Sequence, residues 1–372
     1  MSDALPEVAT TFLELVAIPS PSGRERAMAD ELITRFAALG VQLIEDDVAA
    51  RIEGDTGNLY GFVPATDGSA SAPLLLCAHI DTVECGPVVR GEVRDGVVRV
   101  AEGMILGADD KAAVAAILDA VRRLRDERVP HPAVEILLTV QEERGLVGAR
   151  AADLSILKSR RGIIIDESGP IGAVAAQSPS YLHVTVQITG RSAHGSLPEL
   201  GRNAILAAAE ALHALPSTPP GVSSNVGLIK GGSGVNVVAE HVEVELEVRG
   251  IDHDEATAHL DRLIAAVRAS VEPTGCTVEI RTDVLYRSFA HGDEHPAVRL
   301  AQDALRAVGI APRRSSPLGG SDSNALSQAG IAAVTLTGGM FDMHTPQERI
   351  AVDDLVKLSD LLVAAVRLHG EA

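Results

Sequence analysis

The stretch Leu74-Leu-Leu-Cys-Ala-His-Ile-Asp-Thr-Val83 closes an apolar run with a histidine and places an aspartate two positions further on. A short continuous apolar run between turn residues reads as a strand buried on both faces. His79 and Asp81 then stand at its carboxyl end, where ligand sites of open α/β sheets lie. On an extended backbone, positions two apart point to one side. Asp81 can therefore hold one ring nitrogen of His79 while the other binds a metal. Further donors stand in or beside loops that follow apolar runs: Asp109, the pair Glu142-Glu143, Asp166 and His344. Two imidazoles and three carboxylates are too few for two isolated tetrahedral zinc sites, but suffice if one carboxylate bridges two ions and water completes the shells. Such a pair, about 3.5–4 Å apart, activates a water and polarises a carbonyl. One glutamate must stay off the metals as general base, and Glu142-Glu143 offers one residue for each duty.

Elements of an α/β domain must position these groups. Residues 7–39 read as helical, broken at Ile18-Pro-Ser-Pro-Ser-Gly23 and stopped at Gly40. Strands are expected over 58–63, 74–78, 133–140 and 162–165, and a hairpin over 88–100 around Arg94-Asp-Gly96. An Ala-rich helix begins near Asp110. Strands alternating with helices, each strand ending in a carboxylate or histidine, describe an α/β domain with its site along one sheet edge. The pattern changes after Gln177. Residues 181–190 alternate apolar and polar, as in a sheet with one wet face. A helix (202–215), strands (223–230 and 235–249), a helix (254–270) and a strand (276–285) complete a β-α-β-β-α-β unit. The expected division is thus a mixed-sheet α/β domain of 1–178 and 289–372, with an inserted α+β domain over 179–288.

Composition narrows the partners. At 372 residues, 46% of them hydrophobic, the chain suggests two folded domains. Aromatics make up only 2% and Trp is absent, so there is no platform for stacking bases. A net charge of −19 argues against nucleic acid or an anionic membrane surface. Cys77, Cys85 and Cys276 make no disulfide framework. The N-terminal residues have neither a basic region nor an apolar signal core, and no run of about 18 apolar residues occurs. The expectation is a soluble cytoplasmic protein.

Four segments, His79-Ile-Asp-Thr-Val, Gly107-Ala-Asp-Asp-Lys-Ala, Glu142-Glu-Arg-Gly-Leu-Val-Gly-Ala and Met343-His-Thr-Pro-Gln-Glu-Arg, resemble the dizinc exopeptidases of the peptidase T, carboxypeptidase G and aminoacylase family. Gly-Ala-Asp-Asp-Lys-Ala, with Val83 after Thr82, most resembles the peptidase T-like tripeptidase branch. The resemblance implies that His79 and Asp166 bind one ion, Glu143 and His344 the other, and that Asp109 bridges them. Zinc would be the metal, with manganese or cobalt able to share the ligands. Asp81 would orient His79, and Glu142 would be the general base. The inserted unit would be a lid and dimerisation domain, making the chain a homodimer. There His194, in Gly190-Arg-Ser-Ala-His-Gly-Ser196, matches a histidine that polarises the scissile carbonyl. Asn236 and Arg249 match residues that hold substrate polar groups, and Gly319, Gly320 and Ser321 open a glycine-rich substrate loop. The implied substrate is a small peptide, with carboxypeptidase or N-acyl-amino-acid amidohydrolase activity as the alternative. Where relatives often have Asp followed by small residues and glycine, this chain has Asp166-Glu167-Ser168-Gly169, so Glu167 is the alternative ligand to Asp166.

Other residues have plainer readings. Asp110 is expected to cap the helix that follows it. Arg249 has the alternative of pairing with Glu245 or Glu247 on the lid surface. His213, His241, His253, His259 and His369 are expected in surface settings, and His183, His291 and His295 without a substrate role. Ser192 and Ser196 lie near His194, but no local aspartate completes a triad and no G-x-S-x-G elbow is present. A non-catalytic peptide-binding relative would have lost a ligand or the base, and none is missing here.

Overall fold

The apolar runs form strands whose side chains alternate between two helical layers. The computed structural model describes residues 4–66, 68, 71–86, 89–100, 103–317 and 319–371. Residues 1–3 of the N-terminal segment and residue 88 of the expected hairpin lie outside the described residues. The chain divides into two compact units, Met1–Gln177 with His291–Pro317 and Ser321–Ala372, and Ser178–Ala290 with Leu318–Gly320. Its helices are α1 (Glu7–Val16), α2 (Arg26–Ala38), α3 (Ala108–Asp126), α4 (Val147–Ala151), α5 (Ala204–His213), α6 (His253–Val271), α7 (Pro296–Ala307), α8 (Asp322–Gln328) and α9 (Val352–Glu371). None of the described helices is long and apolar enough to cross a membrane.

The first unit holds strands β1 (Ile44–Glu45), β2 (Leu59–Val63), β3 (Leu74–His79), β4 (Glu92–Arg94), β5 (Val97–Arg99), β6 (Val134–Thr139), β7 (Arg161–Glu167) and β8 (Ala173–Ala175). The second holds β9 (Ser180–Thr189), β10 (Val222–Gly231), β11 (His241–Gly250) and β12 (Thr277–Tyr286). The first resumes with β13 (Arg313–Ser315), β14 (Ala332–Thr337), β15 (Met340–Phe341) and β16 (Arg349–Ala351).

The central sheet of the first unit runs β1-β2-β6-β3-β7-β14-β8-β13. Its middle four strands, β6, β3, β7 and β14, are mutually parallel, while β2 and β8 pair antiparallel at their flanks. Leu74, Leu76 and Ala78 join one buried cluster with Phe12, Val114, Leu300 and Leu358 from α1, α3, α7 and α9. Leu75 and Cys77 face the other way, into a cluster with Leu137, Ile164, Ala325 and Ala333. Burial on both faces explains why this strand is continuously apolar, and each leucine so buried contributes about 1.5–3 kcal/mol. A smaller sheet, β15-β16-β5-β4, contains the expected hairpin, and Asp95 (φ 52°) and Gly96 (φ 75°) take the left-handed turn that it needs.

In the second unit the order is β10-β11-β9-β12, with every pair antiparallel. Leu182, Val184, Val186 and Ile188 turn inward against Ala207, Leu260 and Leu263 of α5 and α6. Two details differ from expectation. The strand expected over 235–249 begins only at His241, because Gly231, Gly232 and Gly234 favour a loop in the preceding stretch. Gly319 and Gly320 also cluster with the second unit and not the first. Ser178 Oγ donates to Gly319 O at 3.2 Å, and a methyl group at Gly320 would run into the Tyr286 ring.

Gly148, in α4, seats the end of β6. Its N–H donates to Val140 O at 3.0 Å, and Asn58 Nδ2 donates to its carbonyl at 3.1 Å. A Cβ there would run into Val140 O. Gly148→Ala is therefore expected to cost about 1–3 kcal/mol, read as a lowered urea midpoint. An unchanged midpoint would show that no such close approach exists.

Candidate metal centre

The parallel strands bring their donors to one edge. β3 ends at His79, β7 carries Asp166, and β6 leads into Gln141-Glu142-Glu143. His79 Nε2 lies 3.0 Å from Asp109 Oδ1 and 3.7 Å from Asp166 Oδ1. The other Asp109 oxygen lies 3.0 Å from His344 Nε2, which is 2.8 Å from Glu143 Oε1. One carboxylate thus offers an oxygen to each of two imidazoles. Donor atoms of His79, Glu142 and Asp166 lie within 4.8 Å of one another, as do those of His79, Asp109 and Glu143. Two atoms each about 2.0–2.1 Å from one tetrahedral zinc are roughly 3.3 Å apart. The donor spacings of 2.8–3.7 Å straddle that value, so the residues fit a pair of divalent ions with Asp109 between them. Asp166 faces His79, whereas Glu167 accepts a hydrogen bond from Ser315 Oγ at 2.8 Å.

Crowding sets the charge balance. Burial, reinforced by Asp166, pushes Glu142 well above the usual carboxylate range. Asp166 is pushed up to about 8 by burial and by Asp109. Burial also acts on Asp109, but the imidazoles of His344 and His79 outweigh it and hold that carboxyl below its ordinary range. Asp109 and Glu143 raise His344 to about 10. Burial lowers His79, yet its bonds to Asp109, Asp166 and Asp81 prevail and raise it. Carboxylates packed this closely require protons or cations among them, and divalent ions answer that requirement directly.

The loops bearing these groups depart from regular backbone. Gln141 (φ 51°), Leu146 (φ 61°), Asp342 (φ 54°) and His344 (φ 63°) are left-handed, a conformation that must be held by its surroundings. Buried carboxylates do much of the holding. Asp81 accepts from Glu142 N at 2.9 Å, Glu143 N at 3.2 Å and Ser22 Oγ at 2.6 Å. His79 Nδ1 is nearer to the main-chain oxygen of Asp81 (3.0 Å) than to its carboxylate (3.4 Å). The Asp81 carboxylate thus holds the backbone of the glutamate pair, while its main-chain oxygen faces the imidazole. Glu25 accepts from Gly23 N at 2.8 Å and Gln141 N at 3.1 Å.

Asp110 is a correction. It is buried and does not cap α3; it accepts from His79 N at 3.3 Å. Glu348 serves that end of α3 instead, accepting from Gly107 N at 2.7 Å and Asp109 N at 3.2 Å. Asp322, also buried, accepts from Thr139 Oγ1 at 2.5 Å, and burial raises it to about 6. Glu348 lies inside one of the segments that resemble the family and Asp322 directly follows the glycine-rich loop, but no local pattern announces partners so distant in the chain.

Ser321, in the first unit, does not join this cluster of donors. Ser321 is buried, capping α8 and sharing its hydroxyl with Ser323 (2.6 Å) and Thr335 (2.7 Å). In the second unit, His194 is exposed, with Nδ1 2.8 Å from Ser196 Oγ, and Gly195 N donates to Asn236 O at 2.7 Å. Arg249 pairs with Glu247 at 3.0 Å and lies 4.2 Å from the Tyr181 ring centroid. Among the remaining histidines, His259 and His369 are buried and not on the surface as expected, bonded to Ser224 Oγ (3.3 Å) and Ala72 O (2.8 Å). His291 and His295 stack at 4.3 Å, and His183 pairs with Glu245 at 3.3 Å.

Asp81→Asn tests the positioning of the glutamate pair. The amide keeps one acceptor and turns a donor toward one of the Glu142 and Glu143 N–H groups, each of which has its own oxygen of the Asp81 carboxylate. Turnover is expected to fall about 10–100-fold with the fold intact. Unchanged turnover and unchanged metal affinity together would leave Asp81 an ordinary turn residue.

Two family models match the chain: Peptidase dimerisation domain over residues 178–274 and Peptidase family M28 over residues 58–156. The uncharacterized protein YqjE of Bacillus subtilis is 32% identical over 95% of this chain and 96% of its own length. The crystal structure of aminopeptidase PepT from Bacillus cereus superimposes with a TM-score of 0.89 at 31% identity, covering 98% of each chain. That of a tripeptidase from Staphylococcus aureus gives 0.92 at 30%, again over 98% of each. With this likeness spanning both units, the chain belongs to the dizinc exopeptidase family of peptidase T, carboxypeptidase G and aminoacylase.

Proposed function

We propose that this chain is a metal-dependent exopeptidase of small peptides with aminotripeptidase-like specificity. The observation that carries the reading is the Asp109 carboxylate, which offers one oxygen to His79 and the other to His344 beside the Glu142-Glu143 pair. His79 and Asp166 would hold one ion, Glu143 and His344 the other, with Asp109 common to both. Zinc suits a donor set of imidazole and carboxylate, and manganese or cobalt can share it. When bound, the ions would polarise the amide carbonyl and bring the pKa of an attacking water toward about 7. Glu142 takes a proton from that water and passes it to the leaving amine. Asp81 keeps the Glu142 backbone in register for both transfers. His194 donates to the developing oxyanion, while Asn236, Arg249 and the Gly319-Gly320-Ser321 loop bind substrate polar groups. The two outer segments of the chain form the catalytic domain, and 179–288 form the lid.

Two neighbours described as an aminopeptidase and a tripeptidase favour this reading over the carboxypeptidase or N-acyl amidohydrolase alternative. A homodimer through the second unit is supported by its match to a dimerisation model and by exposed Leu197, Leu200, Leu206 and Val235. Free thiols at Cys77, Cys85 and Cys276 suit a reducing, cytoplasmic location.

Glu142→Ala should abolish turnover while about two ions stay bound. Metal analysis showing the loss of an ion, or a near-normal rate, would reverse the duties of the pair. A panel of di-, tri- and tetrapeptides, each as free acid and C-terminal amide, with N-acyl amino acids alongside, tests the substrate class under each metal. Free-acid tripeptides should be cleaved best. Preference for N-acyl amino acids would overturn the peptidase reading, and equal cleavage of acids and amides would exclude a carboxylate clamp at Arg249.

A further inference from the structure

Helix α3 begins without a cap of its own. Gly107 at its start is left-handed (φ 69°) and has no side chain to offer. Asp109 (φ −79°, ψ 107°) and Asp110 (φ −115°, ψ 26°) are not helical, so the Asp109 side chain is aimed by irregular backbone. N–H groups at a helix start find no acceptor within the helix and must find one elsewhere. Here the acceptor comes from 239 residues away in the chain, where Glu348 Oε1 takes Asp109 N–H at 3.2 Å. Its second oxygen takes Gly107 N–H at 2.7 Å. The glutamate is 1% exposed, so water does not compete for those bonds. One short segment, 344–348, therefore reaches Asp109 twice, with the His344 imidazole on its carboxylate and Glu348 on its amide.

We propose that Glu348 is a positioning residue that aims the Asp109 carboxylate between His79 and His344 and thereby sets the affinity for the metal pair. The inference rests on the two-ion reading of the site. A carboxylate serving two ions has to keep both oxygens directed, and rotation of the Asp109 backbone would withdraw one of them. Glutamine at 348 preserves the volume, yet offers one acceptor where two are needed and sets its NH2 against the remaining N–H.

The test is a Co2+ titration of the full chain after chelation, followed by visible absorption and calorimetry, with thermal melting in parallel. Glu135→Gln is the control. Glu135 is another buried carboxylate accepting backbone N–H groups, from Lys158 and Ser159, at the end of β6 away from Glu142. Wild type should take up two Co2+. Glu348→Gln should bind about 10–100-fold more weakly with an altered absorption band, while Glu135→Gln melts lower but binds Co2+ as wild type does. Wild-type affinity and spectrum in Glu348→Gln, with only its melting lowered, would overturn the proposal. Should Glu348→Gln fail to fold, Glu348→Asp carries the test, keeping the charge but drawing the carboxylate back; failure of both to fold also overturns it. Wild type that takes up no Co2+ overturns the two-ion reading itself, a result distinct from the others.

Discussion

The site depends on one carboxylate shared by two imidazoles. Asp109 lies 3.0 Å from His79 on one oxygen and 3.0 Å from His344 on the other, and the remaining donors are arranged about that axis. His79 arrives on a strand buried on both faces, so its position is as firm as the sheet. His344 arrives on a left-handed loop residue and is half exposed, so it has no such rigidity of its own. Asp109 thus joins a stiff half of the site to a soft one. The sign of the electrostatics agrees: burial alone would raise the Asp109 carboxyl, and only the flanking imidazoles keep it ionised.

Holding that axis falls to backbone bonds made by buried acids. Asp81, Glu25 and Glu348 each accept N–H groups from a segment that carries a donor or the base. Irregular segments have no ladder to satisfy their N–H groups, and a buried unsatisfied N–H costs about 1–3 kcal/mol. A carboxylate answers two such groups at once and more strongly than a neutral acceptor. The same chemical group therefore has two uses in this fold. One set of acids faces the would-be ions, and a second set faces the chain.

That division marks the limit of what was legible in the sequence. His79, Asp109, Glu142, Glu143, Asp166 and His344 stand out because each follows an apolar run or lies in a loop beside one, and strand ends are where open α/β sheets place ligands. The resemblance favours Asp166 over Glu167, but consecutive carboxylates give no local reason for the choice; the structure separates them by partner, Asp166 facing His79 and Glu167 taking the Ser315 hydroxyl. An aspartate at a helix start has a strong local reason to cap, yet Asp110 finds its partner in the His79 amide, on a strand 31 residues earlier. The spacing of Asp81 to His79 points to the imidazole, but the Asp81 carboxylate accepts from the Glu142 and Glu143 amides and the imidazole lies closer to the Asp81 main-chain oxygen. Glu25 and Glu348 carry no local sign of their place beside the donors, because the Gln141 and Asp109 amides they accept from lie more than 100 residues away.

In the second unit, the Arg249 guanidinium is held by two contacts of different kinds. Arg249 lies over Tyr181 and pairs with Glu247, with side-chain exposures of 25% and 29%. Both Glu247 oxygens accept from the guanidinium, Oε1 from Nε at 3.3 Å and Oε2 from an NH2 group at 3.0 Å, a two-point pair of the kind that fixes geometry as well as charge. The contact with the Tyr181 face is of another kind. It holds the guanidinium plane without using the hydrogen-bonding edge that a bidentate carboxylate needs. Glu247 occupies that edge here, so a carboxylate bound in the way proposed above would have to displace it. A lysine at 249 could keep the charge but neither the stacked plane nor the fork, so selectivity for a carboxylate would come from geometry and not from charge alone.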